Sequence, residues 1–366
     1  MSSTRDGFFT RGSSARVLHH ALRRAIAADW GDSMTIKVGL IGAGVMGTDH
    51  ARILSTAVSG AELVAVSDPA PERRSMIAEI CGSVRAFSDP MHLIRDGSVD
   101  AVLIASPDQT HGTLVLACLT IGKPVLCEKP LAPSVEECLK VIEAESALGK
   151  RLVTLGYMRR FDPGYVEMKR KLDEGKLGAA LVMHCIHRNV AAPSFMTAPM
   201  LITNSVVHEI DIARFVLGRE VKRITVVTPR KTGLAKMQDP QILLLEMDDG
   251  VVVDAEIFIN AQYGYDVRAE LVCEKGTIAL TPPHDVTVKH SAKEGFPFPS
   301  DWRPRFALAY RAELQAWTAG IDKGVPVGAT AWDGYVATAV ADAGLKALAT
   351  GRPTDVELEP RPALYG

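Results

Sequence analysis

No Cys-x-x-Cys pair occurs in this chain, no apolar run is long enough to cross a bilayer, and neither sign of charge is in excess. Each absence excludes something. The six cysteines, Cys81, Cys118, Cys127, Cys138, Cys185 and Cys273, are too few to staple 366 residues with disulfides, and several fall inside apolar runs. Buried, reduced thiols in a cytoplasmic protein are the reading that follows. A spanning helix needs roughly 20 consecutive apolar residues, so no membrane partner is expected. A formal net charge of -2 leaves no basic footprint for nucleic acid or an acidic lipid surface. What remains is ordinary globular composition, 47% hydrophobic and 23% charged, in a chain long enough for two domains.

Residues 1–33 depart from that composition. Arg5, Arg11, Arg16, Arg23 and Arg24 stand among serines, with few apolar residues before Val17. Without an apolar central segment this is no secretory signal. A poorly ordered extension, an upstream start ahead of Met34, and an Arg- and Ser-rich transit peptide are the readings left open. Met34-Thr-Ile-Lys-Val-Gly39 reads as the start of a domain.

From Ile36 short apolar runs alternate with helical stretches. Strands are predicted at Ile36–Ile41, Leu63–Ser67, Ala101–Ala105, Pro124–Cys127 and Leu152–Leu155. Helices are predicted after Gly44, at Pro71–Ile80, at Thr113–Ile121, and from Ser134 to Gly149, where Ser134 and Glu137 form a capping box. Continuously apolar strands separated by helices imply a parallel sheet covered on both faces, the doubly wound Rossmann arrangement. This assigns residues 34–156 to a dinucleotide-binding domain. Residues 157–366 read differently. Strands at Leu181–His187, Val221–Val227, Ile242–Met247, Val251–Ile259 and Val267–Cys273 are separated by turn signals such as Asp249-Gly250. They imply a largely antiparallel open sheet. Helices are predicted after Pro163, near Asn204–Leu217, at Phe306–Ile321 and at Ala331–Leu348. The fold class is α/β, a Rossmann domain followed by an α/β domain for substrate and oligomer contacts.

Gly42-Ala43-Gly44-Val45-Met46-Gly47 is a GxGxxG placed between a predicted strand and a predicted helix, the context that makes it a dinucleotide motif and not a chance glycine turn. Gly42 serves the turn, Gly44 the approach of a pyrophosphate, and Gly47 the packing of helix on strand. Val45 and Met46 open the helix. Asp68 ends the second strand, about 20 residues on, where a carboxylate accepts the ribose hydroxyls. It favours NAD over NADP, with Arg73 and Arg74 nearby. Ser106 and Pro107 lie past the next strand, at the carboxyl edge of the sheet, and are expected against the cofactor. His111 reads as a cap or supporting residue there.

Glu128-Lys129-Pro130 ends another strand at the same edge. A lysine there can steady negative charge developing on an oxygen, or relay a proton; the plainer alternative is an exposed strand-end lysine. In Asn204-Ser-Val-Val-His208-Glu-Ile-Asp211 the residues Asn204, His208 and Asp211 share a stripe at i, i+4 and i+7. Val206, Ile210, Ala213 and Leu217 form an apolar stripe opposite. His208 is thus a candidate base, the alternative being a packing histidine. No metal is expected: His208-Glu209 has isoleucine where a zinc ligand would stand, and His184 and His187 alternate across a strand.

These motifs resemble the Gfo/Idh/MocA oxidoreductases, and most nearly their inositol-oxidising members. The resemblance rests further on Gly156-Tyr-Met-Arg-Arg-Phe-Asp162, His187-Arg-Asn189, Val207-His-Glu-Ile-Asp211, Tyr263-Gly-Tyr-Asp266 and Ala331-Trp-Asp-Gly-Tyr335, and covers Met34 to about Leu348. It implies an NAD-dependent enzyme acting on a small-molecule polyol, in homo-oligomers that are often tetramers. It implies Lys129 and His208 at the reacting hydroxyl, with Met158, Arg159, Asn189 and Tyr265 lining the polyol pocket and Asp211 near it. Asn204 stands where the family usually has aspartate. An amide orients an imidazole but adds no charge. Other cyclitols, pyranoses and a non-catalytic NAD-binding role stay open.

Overall fold

A computed structural model describes residues 35–281 and 286–366. The expectations for residues 1–33 lie outside it.

Six parallel strands form the first sheet: β1 (Ile36–Ile41), β2 (Ala61–Ser67), β3 (Arg85–Phe87), β4 (Ala101–Ile104), β5 (Val125–Glu128) and β6 (Val153–Gly156), in the order β3-β2-β1-β4-β5-β6. Between them run α1 (Val45–Ala57), α2 (Pro71–Cys81), α3 (Pro90–Arg95), α4 (His111–Thr120) and α5 (Val135–Leu148). β4 and β5 are buried at every residue, as strands covered on both faces must be. The order reverses between β1 and β4, which opens a crevice at the carboxyl ends of those strands. β3 and α3 were not expected; three polar-flanked residues and one helical turn carry no usable periodicity.

The second sheet has seven strands: β7 (Ala180–Arg188), β8 (Val221–Val227), β9 (Gln241–Met247), β10 (Val252–Phe258), β11 (Asp266–Cys273), β12 (Gly276–Ala279) and β15 (Thr354–Asp355), ordered β12-β11-β7-β10-β9-β8-β15. A hairpin, β13 (Val288–His290) with β14 (Lys293–Gly295), stands apart. The sheet is antiparallel except that β7 and β10 pair in parallel. Its helices are α6 (Pro163–Asp173), α7 (Val207–Leu217), α8 (Trp302–Lys323) and α9 (Ala331–Thr350). Along β9 and β10 buried and half-exposed residues alternate, so one face lies under helices and the other stays open.

Local sequence fixes the helix ends. The Asp162 carboxylate accepts from the N–H groups of Gly164 and Tyr165 at the start of α6, with Pro163 at its first position. Thr330 and Asp333 form a reciprocal capping box on α9. Helix α8 crosses back to the first sheet. Its Leu314 and Trp317 are buried in one cluster with Val38, Leu40 and Leu126, so part of the chain beyond residue 157 completes the core of the Rossmann layer. All six cysteines are free thiols, five of them buried. Among the described residues no helix is long and apolar enough to cross a membrane.

Candidate active site

β1 delivers the chain to the glycine turn and α1 carries it away. Gly42 has φ +91, and a Cβ there would sit 2.5 Å from the Ala105 carbonyl oxygen. At Gly47 a Cβ would come within 1.9 Å of the Gly42 carbonyl oxygen, so helix and turn touch only because neither carries a side chain. At Gly44 a Cβ would meet nothing within 4 Å. That open space fronts the first turn of α1, begun by Val45 and Met46, which has no acidic residue and no side-chain cap. Its free N–H groups and positive end suit a pyrophosphate.

Asp68 follows β2 and is 4% exposed. Its Oδ2 accepts from the Ala43 N–H and its Oδ1 from the Ala70 N–H, each at 2.9 Å. Each oxygen retains a lone pair for a ribose hydroxyl. Arg73 lies 3.8 Å from the carboxylate, and Arg74 is tied to the carbonyls of Asp68 and Pro69. The turn, the helix end and Asp68 together fit NAD.

Ser106 and Pro107 follow β4, where Thr110 Oγ1 bonds both the Ser106 hydroxyl and the Pro107 carbonyl. A Cβ at Gly42 would lie 2.6 Å from Ser106 N, so this loop borders the glycine turn. His111 is 1% exposed and its ring spans the carbonyls of Pro130 (2.6 Å) and Ser106 (2.9 Å), tying the loop after β4 to the one after β5. The Glu128 carboxylate bonds His50 Nε2 of α1 at 2.7 Å. Burial alone would raise the Glu128 carboxyl; the His50 hydrogen bond and the charge of Lys129 outweigh it and bring it below its ordinary range.

Lys129 Nζ donates to the main-chain carbonyl of Asn204 at 3.2 Å. Asn204 is not on α7 but on a π turn, Leu201–Val206, that precedes it. A π turn bonds i to i+5 and shifts the helical register, so Asn204 stands outside the α-helical spacing that relates His208 and Asp211 on α7. Asn204 Oδ1 accepts from Thr203 Oγ1 at 3.0 Å. His208 Nδ1 is sealed from water with no partner, while Nε2 stays accessible. Thr203, Asn204 and Val207 line a cavity of about 520 Å³ with Pro130 and Thr338, to which neither Lys129 nor His208 contributes. Burial, then the charges of Arg159, Lys129 and His187, hold the His208 imidazolium well below its ordinary range. The ring is neutral at neutral pH, as a base must be.

Two models of the same family match the chain in succession: the oxidoreductase family, NAD-binding Rossmann fold, over residues 36–157, and the GFO/IDH/MocA C-terminal domain over residues 165–279. Inositol 2-dehydrogenase 2 of Saccharopolyspora erythraea is 53% identical over 334 residues, 91% of this chain and 98% of that one. The chain belongs to the Gfo/Idh/MocA oxidoreductase family. Inositol 2-dehydrogenase of Burkholderia cenocepacia is 42% identical over 91% of this chain and 99% of its own. The solved structure of myo-inositol dehydrogenase from Lactobacillus casei, in complex with NAD(H) and myo-inositol, superimposes with a TM-score of 0.88 at 32% identity, over 91% of this chain and all of that one (100%).

The pocket residues that the family implies divide into two groups. Met158 and Tyr265 share a buried cluster with Phe306 and Tyr310, next to Met46 of the glycine turn. Asn189, just past β7, has a sealed Oδ1 with no protein partner, an orphaned acceptor at the sheet end. Arg159 and Asp211 are elsewhere. The Arg159 guanidinium is 1% exposed and engaged by Glu209 and His187. Asp211 takes three bonds from Arg160, which also reaches Asp333; Asp333 in turn holds Arg214. That chain of buried charges ties α7, α9 and the Met158–Phe161 turn together. Asp211, 1% exposed, belongs to this tie.

Three participants were assigned no role from the sequence, although His187 and Glu209 fall inside segments that carry the family resemblance. Glu209 and His187 pair across two elements, and Glu209 sits in an apolar helix where it reads as one more polar interruption. His50 stands three residues past Gly47, one turn into α1, a spacing that identifies it only once Glu128 is known to lie opposite.

Proposed function

We propose that this oxidoreductase oxidises one ring hydroxyl of a cyclic polyol with NAD, converting myo-inositol to 2-keto-myo-inositol (scyllo-inosose). One observation carries the reading: a lysine ammonium and a neutral, solvent-reachable imidazole act on the same small space, Lys129 touching the turn just before His208 and its charge bearing on that ring. The inositol dehydrogenases that this chain resembles support the substrate class.

The chain's own groups divide the work. The glycine turn, the first turn of α1 and Asp68 hold the dinucleotide, which when bound supplies the hydride acceptor. His208 Nε2 takes the proton of the reacting hydroxyl. The Lys129 ammonium lies beside the oxygen and stabilises the negative charge that develops as the proton leaves. With no carboxylate at Nδ1, and with two cations nearby, the imidazolium formed is short-lived and gives its proton up readily. The aromatic cluster around Tyr265 excludes water from the reacting face.

We propose further that the chain works as a homo-oligomer, a tetramer built on the open face of the second sheet, in the reducing cytoplasm. The half-exposed pair Arg188–Glu256 gives that face charges of both signs for a second copy. Asn204, in place of the family's aspartate, favours a second reading in which another cyclitol or a pyranose is the better substrate. NADH formation by purified protein with NAD and a panel of inositols and hexoses separates these. Turnover of myo-inositol with the highest kcat/KM supports the first reading, and a preferred hexose the second. Tight NADH binding without turnover of any polyol refutes both and leaves a non-catalytic NAD-binding protein.

A further inference from the structure

A cavity of about 540 Å³ opens at the end of the first sheet opposite the glycine turn. Pro124 and Leu152, which lead into β5 and β6, lie at its base, and Ile321 of α8 and Val327 wall it with apolar surface. The other ends of β5 and β6 carry Lys129 and the Met158–Phe161 turn. Each strand has four residues, so about 13 Å of sheet separates this cavity from the coenzyme crevice.

Two cations stand at the cavity. Lys150 and Arg151 follow Gly149, which ends α5 in the left-handed conformation, φ +61. None of the described lining residues is acidic. Among the described residues the Arg151 guanidinium makes no hydrogen bond or ion pair, and its Nε is a sealed donor without an acceptor. Glu145, an acid whose charge reaches Arg151, is occupied elsewhere. Its Oε1 accepts from the N–H groups of Leu152 and Val153, and its Oε2 from the Tyr365 hydroxyl, each at 2.6 Å. The Thr154 hydroxyl at the same wall is likewise used, donating to the Val327 carbonyl.

Cations just past a helix C-terminus need no ligand to explain them. Trp317 is not explained that way. It is 3% exposed and lines this cavity. Its Nε1–H, its one polar group, has no acceptor among the described residues and is not sealed. A buried indole N–H ordinarily finds a partner. The side chains at the cavity therefore offer donors, positive charge and apolar surface, and no free acceptor. A cation would meet two like charges, and a polyol would find nothing to take its hydroxyl protons. The volume is that of a small-molecule site, in the range of about 300–1,000 Å³.

We propose that this cavity binds a small organic anion, an apolar body with one carboxylate or phosphate head. The guanidinium of Arg151 is shaped to take two oxygens of such a head at once. Lys150 adds charge, the Trp317 N–H is a further donor, and Leu152, Ile321 and Val327 cover the body. Because the site lies at the opposite end of the strands, its ligand does not compete with the dinucleotide.

The test is titration of the purified full chain with hexanoate, hexyl phosphate and hexanol, by calorimetry and by tryptophan fluorescence, with and without NADH. Saturable binding of one of the two anions is expected, with hexanol at least about 10-fold weaker, the weight of a charge-assisted hydrogen bond. Tighter hexyl phosphate identifies a phosphate head and tighter hexanoate a carboxylate; either supports the site. NADH leaves the affinity unchanged. Arg151→Gln weakens binding about 10- to 100-fold, and Trp317→Phe removes the fluorescence change. No saturable binding of either anion, hexanol bound as tightly, parental affinity in Arg151→Gln, or displacement by NADH overturns the proposal. Should Arg151→Gln not fold, a fluorescence change that persists in Trp317→Phe overturns it equally.

Discussion

Two glycines three residues apart, changed in the same way, should fail in opposite directions. At Gly47 the added Cβ lies 1.9 Å from the Gly42 carbonyl oxygen and 2.9 Å from its carbonyl carbon. Ordinary contact begins near 3.4 Å, so turn and helix must part by more than an ångström, and both are backbone. Overpacking of a rigid site costs about 1–3 kcal/mol, and the upper part of that range applies because no side chain can swing away. Gly47→Ala is therefore expected to melt earlier and to bind NADH poorly as a consequence. At Gly44 the backbone, φ -73 and ψ -162, is one alanine adopts, and the Cβ meets nothing within 4 Å. Its fold cost is small: a weaker helix start of a few tenths of a kcal/mol, offset by about 0.4–1 kcal/mol of lost freedom in the unfolded chain. The methyl instead occupies the space in front of the helix end. NADH affinity should fall about 10- to 100-fold, or about 1.4–2.7 kcal/mol, while the melting temperature stays put. Thermal melts and NADH fluorescence titrations on both variants decide it. A Gly44→Ala protein that melts like Gly47→Ala, or binds NADH like the parent, refutes the assignment of this turn as the pyrophosphate cradle.

Lys129→Met should lower kcat about 10²- to 10³-fold, the weight of one group stabilising a developing oxyanion, with NADH affinity unchanged; turnover near the parent rate removes Lys129 from the mechanism. Since burial, Arg159 and Lys129 hold His208 well below its ordinary range, its base form persists as pH falls, and kcat/KM should show no loss centred near the usual histidine value of about 6.5. A limb at that value contradicts the neutral-base assignment. Glu313 of α8 is fully buried, both carboxylate oxygens lack a partner, and burial, with Glu128 and Asp211 nearby, pushes its carboxyl well above the ordinary range. The unfolded chain gives up that proton first, so the fold loses stability as pH rises above about 4.3 and continues to lose it up to the folded value. Glu313→Gln abolishes the titration, and its stability advantage in denaturant melts should grow between about pH 5 and about pH 8; an advantage that shrinks with pH refutes the buried neutral acid.

The parts of this fold that can be read along the chain are those whose signal is local. The glycine turn, Asp68 and Lys129 each stand at the carboxyl end of a strand, and strands such as Ala101–Ile104 declare themselves by being apolar throughout. The π turn at Leu201–Val206 does not. Helical-wheel spacing assumes one register, and Leu-Ile-Thr-Asn-Ser-Val carries no mark that one turn holds an extra residue. The polar stripe through Asn204, His208 and Asp211 rests on that assumption. For Arg159 and Asp211 the resemblance implies a place at the pocket, and their partners Glu209 and Arg160 are seen only across the fold. The return of α8 to the first sheet is likewise unreadable, because Leu314 and Trp317 are apolar positions that any core would accept.

The central claim is that hydride leaves a ring carbon of the polyol within this site. Incubating the enzyme with NAD and myo-inositol deuterated at the carbon of its axial hydroxyl tests it directly, with the reduced coenzyme analysed by mass spectrometry and NMR. The account predicts that the label appears at C4 of the nicotinamide, that turnover slows relative to unlabelled substrate, and that Lys129→Met and His208→Gln lose the transfer while still binding NADH. Reduced coenzyme formed without label, or formed as fast by the His208→Gln protein as by the parent, would contradict it.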